Sequence, residues 1–235
     1  MKRRIWELDA FRGICIIGVV IVHFVYDLVD LYKIIDWQYP EWFWFIKQWG
    51  GVLFLLLSGV CITLGKHHLR RGLIVFGAGL IISIVTWAMY AYFHFSKGII
   101  IYFGVLHCLG ICMLLWPVFR RLPWWILLPI GIGLAWLGLY FRELTVESPY
   151  LFVFGLTAKN FASSDYFPLL PNLGFFLLGA VVGKTLYRKK ESFLPALDGK
   201  PVIGFFQWCG RQSLWIYLVH QPILNGICML LMERK

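Results

Sequence analysis

Charge is scarce in this chain of 235 residues: Asp, Glu, Lys and Arg make up 14%, against 60% hydrophobic residues and a mean hydropathy of +0.74. A soluble domain of this length needs far more polar surface, so the shortage excludes one and leaves a polytopic helical membrane protein. The six cysteines (Cys15, Cys61, Cys108, Cys112, Cys209 and Cys228) form no CxxC pair and lie mostly in apolar runs. They read as small packing residues, and neither a disulfide framework nor a zinc site is expected. HExxH, a Walker loop and GxGxxG are all missing, so no metal is expected. There is no internal repeat of the kind that would mark an inverted-repeat transporter. No small-residue cleavage site follows the basic start MKRRIWELD, so the first apolar run is expected to stay as a span. The last apolar run holds no lysine, which argues against a retinal Schiff base.

What is present is a series of apolar runs about 20 residues long, the length needed to cross a bilayer. Seven spans are predicted, at 13–33, 44–65, 71–94, 99–118, 123–141, 168–187 and 212–232. The fold class expected is therefore all-α, a single transmembrane bundle over residues 1–235. The connection at 142–167 is too short to span, but its middle is apolar enough to lie at the interface or dip back into the protein. GFFQWCGRQS, at residues 204–213, reads as an amphipathic helix on the membrane surface. Gly179 and Gly183 stand at GxxxG spacing, which predicts close helix packing. The net charge of +10 does not point to nucleic acid, because basic loops also orient membrane proteins. With the N-terminus inside, the inner segments collect 15 of the 22 basic residues, and the outer segments hold eight of the 12 acids. A cytoplasmic N-terminus and an outer C-terminus are the expectation.

The first span carries the strongest functional signal. On a helix, Asp9, Arg12, His23, Tyr26, Asp27 and Asp30 share one sector of roughly a third of the circumference. Ionisable groups inside a membrane are costly, so an aligned row of them marks a functional lining. Asp27 follows His23 by four residues, a spacing that lets a carboxylate orient a general-base imidazole. The same spacing also suits an ordinary polar pair between helices. His107 and His220 fall near the same depth as His23 by chain direction alone, which favours a shared polar chamber. In the last span Ser213, Tyr217 and His220 form a stripe with Gln221 and Asn225 on its flank, and Pro222 frees the carbonyl of Leu218. The inner-face arginines Arg4, Arg12, Arg70, Arg71 and Arg211 could clamp phosphates, although most are more simply topology determinants; Arg12 and Arg211 adjoin polar stripes. Ser58 is a weaker candidate, since no G-x-S-x-G elbow surrounds it.

Several motifs occur together in order: R-x-x-x-L-D-x-x-R-G at 4–13, HFVYDL at 23–28 and FLLLSG at 54–59. GVLHCLG at 104–110, DYFPLLPNLGFFLLG at 165–179 and GRQSLWIYLVHQPIL at 210–224 follow. This ordered set resembles the heparan-α-glucosaminide N-acetyltransferase catalytic-domain family in its short bacterial branch. The resemblance implies a transmembrane acyltransferase that takes an acetyl group from cytoplasmic acetyl-CoA. An amino or hydroxyl group of a glycan or envelope acceptor would receive it on the outer side. His220 falls at a histidine of the last motif.

Under that reading His23, Asp27, His220 and His107 are the catalytic candidates. Arg12, Arg211, Asp9, Arg4 and Ser58 are expected on the donor side, and Tyr26, Asp165, Asn172 and Gln221 near the acceptor. Partners would be the lipid bilayer and the acceptor, in a chain compatible with a homodimer. The competing reading is a small proton-coupled transporter or flippase that uses His23 and Asp27 as its relay.

Overall fold

The computed structural model describes residues 4–93 and 96–233. Lys2 and Arg3, counted above in the charge asymmetry, lie outside the described residues. Among the described residues eight α-helices follow one another: α1 Trp6–Tyr26, α2 Glu41–Leu64, α3 His68–Phe93, α4 Val105–Phe119, α5 Trp124–Phe141, α6 Leu169–Thr185, α7 Pro201–Arg211 and α8 Ser213–Met232. Among the described residues there are no strands, only isolated bridges at Phe103–Tyr166 and Thr145–Thr157. The all-α reading holds. Five helices among the described residues are long and apolar enough to cross a membrane: Trp6–Leu31 (α1 with its final turn), α2, α3 (as His68–Tyr92), α5 and α8. The predicted fourth and sixth spans coincide with α4 and α6, which are apolar but only 15 and 17 residues long.

Contacts divide the chain into two compact units, Met1–Phe54 with Lys190–Lys235, and Leu55–Lys189; the division falls within α2.

In the first unit α1 begins at Trp6, seven residues before the predicted start, because helix continues into the polar N-terminal stretch. Its end is unusual. Asp27–Leu31 winds as a π-helical turn, wider than the α-helix that precedes it. Such turns concentrate at functional sites. The other end of α1 is tied to the loop before α7: Trp6 Nε1 donates to Leu194 O at 3.0 Å, and Glu7 accepts from Ser192 Oγ and Phe193 N at 2.7 and 2.8 Å. The predicted amphipathic segment is helical from Pro201 to Arg211. Val202, Phe205 and Trp208 face outward while Gln207, Cys209 and Gly210 are buried. α7 crosses α1 with no side chain between them. A Cβ on Gly13 would collide with the carbonyl oxygen of Phe206, and one on Gly210 with that of Asp9.

The second unit repeats this device. A Cβ on Gly59 would strike Phe176 O, one on Gly179 would strike Leu56 O, and Gly183 meets Thr63 and Val60, so the GxxxG expectation is met between α6 and α2. The shortness of α4 has a local cause. Residues 100–104 are irregular before it, and α3 satisfies the backbone of Ile101: Thr86 Oγ1 accepts from Ile101 N at 3.1 Å, and Ser83 Oγ donates to Ile101 O at 2.6 Å. Irregular backbone at membrane depth is tolerated where protein groups replace water in this way. α6 is broken at Leu170 (φ −106°, ψ 130°), as the steric demand of the following Pro171 requires. The connection at 142–167 holds only a short 3₁₀ turn, Leu151–Phe154. It is fastened by the Tyr166 hydroxyl, which donates to Phe152 O at 2.6 Å and whose pKa burial pushes up to about 12.

The glycine contacts generate a test. Gly13→Ala and Gly210→Ala are each expected to destabilise the protein by about 1–3 kcal/mol, the usual cost of forcing extra volume into a packed contact. Gly18→Ala on the same helix meets nothing within 4 Å and is expected to be neutral or mildly stabilising. Thermal unfolding of the three purified variants in detergent separates the two classes.

Candidate functional site

Two polar clusters of the first unit lie on α1, one at each end. At the N-terminal end Asp9 sits among three guanidinium groups: Arg4 Nη1 at 3.7 Å, Arg12 Nη1 at 3.9 Å and Arg211 Nε at 3.7 Å. None of these separations is a hydrogen bond, and Asp9 Oδ2 is buried with no hydrogen-bond partner. Arg211 Nη2 donates instead to Gln207 Oε1 at 2.8 Å, and Gln207 Nε2 donates to Asp198 Oδ1 at 3.2 Å. Three cations therefore face one carboxylate at distances that leave donor hydrogens free. An excess of guanidinium donors over carboxylate acceptors suits an anion with several oxygens, such as a phosphate. All four residues predicted on the donor side of α1 and α7 are thus brought together. Gln207 was not foreseen. Its signal was a lone amide on the buried side of an otherwise lipid-facing amphipathic helix.

The second cluster lies between the last turns of α1 and the middle of α8. His23 and His220 meet edge to face, with ring centroids 4.9 Å apart and planes at 77°. Each ring is tethered to a carbonyl of its own helix: His23 Nδ1 to Val19 O at 2.8 Å and His220 Nδ1 to Tyr217 O at 2.6 Å. A carbonyl only accepts, so in both neutral imidazoles Nδ1 carries the hydrogen and Nε2 keeps the lone pair. His220 Nε2 is buried with no partner at all. Two rings of fixed tautomer, each with its basic nitrogen uncommitted, can receive a proton.

Asp27 is placed differently from the sequence expectation. Its carboxylate is fully buried, and both oxygens accept from Gln221 Nε2 at 2.9 Å. The Nδ1 of His23 is turned back to Val19 O, and Asp27 bonds to Gln221 and not to His23. A buried carboxylate costs several kcal/mol unless it is paired, and the donor that pairs it here comes from α8. Gln221 thus holds Asp27 and leaves its own Oε1 buried without a partner. One π-helical turn later Tyr32 donates to Asn225 Oδ1 at 3.0 Å, a second tie between the same helices. Tyr26, expected near the acceptor, lies under the ammonium of Lys47.

The remaining candidates lie in the second unit. His107 is buried at the start of α4 with both ring nitrogens engaged: Nδ1 accepts from Gly104 N at 3.2 Å, and Nε2 lies 3.3 Å from Ser83 Oγ. Asp165 Oδ2 accepts from Val105 N at 3.1 Å, so it too secures the first turn of α4. Asn172 Nδ2 donates to Pro168 O at 2.8 Å, while its buried Oδ1 has no partner. Ser58 is buried in α2. Among the described residues no group of His, Cys, Asp and Glu is arranged to hold a metal ion.

Apolar helices of spanning length, with a histidine pair and a buried carboxylate between the first and the last of them, define a helical integral membrane protein with a polar cluster between its helices. The chain matches, over residues 4–222, the family described as heparan-alpha-glucosaminide N-acetyltransferase, catalytic. It belongs to that family, and with it to the acetyltransferase-like membrane proteins. No curated protein and no solved structure matches the chain.

The pairing of Asp27 is testable by a double-mutant cycle. Gln221→Leu strands the carboxylate and is expected to cost roughly 3 kcal/mol of stability, whereas Asp27→Leu combined with Gln221→Leu recovers most of the loss. Unfolding midpoints of the single and double variants give the coupling energy directly.

Proposed function

We propose that the protein transfers an acetyl group from acetyl-CoA to an amino or hydroxyl group of a glycan or envelope acceptor across the membrane. Arg4, Arg12 and Arg211 hold the CoA phosphates, and Asp9 keeps the guanidinium groups converged. The N-terminal end of α1 is then cytoplasmic, as the charge asymmetry favours. Acetyl-CoA supplies an activated acetyl group as its thioester. His220, with His23 beside it, takes the proton of the acceptor group through its unpartnered Nε2 as the acceptor nitrogen or oxygen bonds to the acetyl carbon. The carbon–sulfur bond of the thioester breaks, and the CoA sulfur leaves with the proton that His220 returns. The carboxylate of this cluster is Asp27. Gln221 fixes that carboxylate in place.

One observation carries this reading. A single helix joins the arginine cluster to the histidine pair, and Arg12 and His23 are 11 residues apart, about 16 Å along an α-helix. That separation suits a ligand with phosphates at one end and its reactive group at the tip of a long arm. It also spares both substrates a full crossing of the bilayer.

Two measurements test the proposal. Millimolar acetyl-CoA is expected to raise the unfolding temperature of the purified protein, and Arg12→Ala or Arg211→Ala to weaken that binding about tenfold each, the loss of one charge-assisted contact. With labelled acetyl-CoA and an amino-sugar acceptor in proteoliposomes, His220→Ala is expected to lower transfer by about a hundredfold or more, the usual contribution of a general base. Protein that neither responds to acetyl-CoA nor transfers acetyl would overturn the reading.

A further inference from the structure

Lys47 of α2 is held in a way that a surface lysine does not need. Its Nζ lies over three aromatic rings, 4.7 Å from the centroid of Tyr26 and 5.0 Å from those of Tyr39 and Trp44. The fourth wall is a carboxylate, Asp30 Oδ2 at 3.4 Å. That same oxygen accepts from the Tyr39 hydroxyl at 2.7 Å. Burial, reinforced by the bond to Asp30, holds the Tyr39 phenol above its ordinary pKa, so it stays a donor. The walls are themselves braced. Tyr39 stacks on the buried Phe43 with centroids 4.9 Å apart, and meets Trp37 and Trp44 edge to face at 5.5 and 5.4 Å.

Three ring faces and one carboxylate around a single cation are the components that recognise organic ammonium groups. A lone counter-ion would satisfy a lysine; the rings add selectivity for a soft, weakly hydrated cation over sodium. Lys47 demonstrates that the arrangement holds an ammonium, and it does so with a flexible stem that can withdraw. Two of the walls, Tyr26 and Asp30, come from the stretch of α1 and its π-helical turn that also presents Asp27. We propose that this cage is a binding subsite for a small organic ammonium group, with Lys47 as a tethered stand-in that the ligand displaces. That the ammonium belongs to the acyl acceptor rests on the transfer reaction proposed above; the cage itself does not.

The probe is tetramethylammonium chloride, titrated into the detergent-purified full chain by calorimetry, with sodium chloride at equal ionic strength as control. Lys47→Ala is expected to bind it saturably and at least about tenfold more tightly than the unaltered protein, since the internal competitor is gone. Adding Trp44→Ala or Asp30→Asn to that variant is expected to lose the gain. In the unaltered protein, an amine-reactive label read by mass spectrometry is expected to modify Lys47 about threefold or more faster when tetramethylammonium is present. The proposal falls if Lys47→Ala folds yet shows no saturable binding, if binding survives loss of Trp44 and Asp30, or if Lys47 labelling is indifferent to the probe. Stabilisation by acetyl-CoA is independent of all three readouts. Its absence would count against the transferase reading while leaving the cage intact.

Discussion

A carboxylate buried between membrane helices must be given a donor, and that requirement organises the first unit. Asp27 has no exposure, and the donor it receives is the amide of Gln221 on α8. The bond fixes the rotation of α8 relative to the end of α1, and with it the neighbouring residue His220. Once α8 is set, His220 stands edge to face against His23, and Asn225 comes within reach of Tyr32. The π-helical turn belongs to the same arrangement. It widens the chain just where Asp27 is satisfied from one side and Asp30 from another, so two acids three residues apart serve different neighbours.

The arginine cluster obeys a different rule. Asp9 is close enough to three guanidinium groups to attract them, yet too far to satisfy their donors. A tight bidentate pair would be a finished structural element. A loose one keeps the cations converged without using their hydrogens, which is what a recognition site for anions requires. α7 contributes through Arg211 and Gln207, so an element lying on the outside of the first unit is also part of its polar interior.

Much of this was legible in the sequence. Scarce charge and long apolar runs specified the helices, because the bilayer fixes both their length and their composition. The polar stripe on α1 contributes residues to both clusters, and Gly179 and Gly183 foretold the tight contact of α6 with α2. What escaped was whatever depends on competition among partners. Depth arithmetic set His107 beside the other histidines, but it could not show that Gly104 N and Ser83 would claim both ring nitrogens. The spacing of His23 and Asp27 allowed a direct bond, yet a carbonyl four residues back and an amide on another helix took their places. The cage around Lys47 was hidden because its walls come from three separate segments, brought together by the chain reversal at 32–40.

The backbone contact at Gly13 and Gly210 has a consequence for how this sequence can vary. Most helix pairs adjust by exchange: one residue grows while its neighbour shrinks, and the volume between them is conserved. Here both positions already carry the smallest residue there is, and each faces the other helix's peptide group. No compensating reduction exists for either. The crossing that holds Arg211 beside Asp9 is therefore closed to the gradual trade of side chains by which other parts of the interior drift, and it changes only if the two helices part.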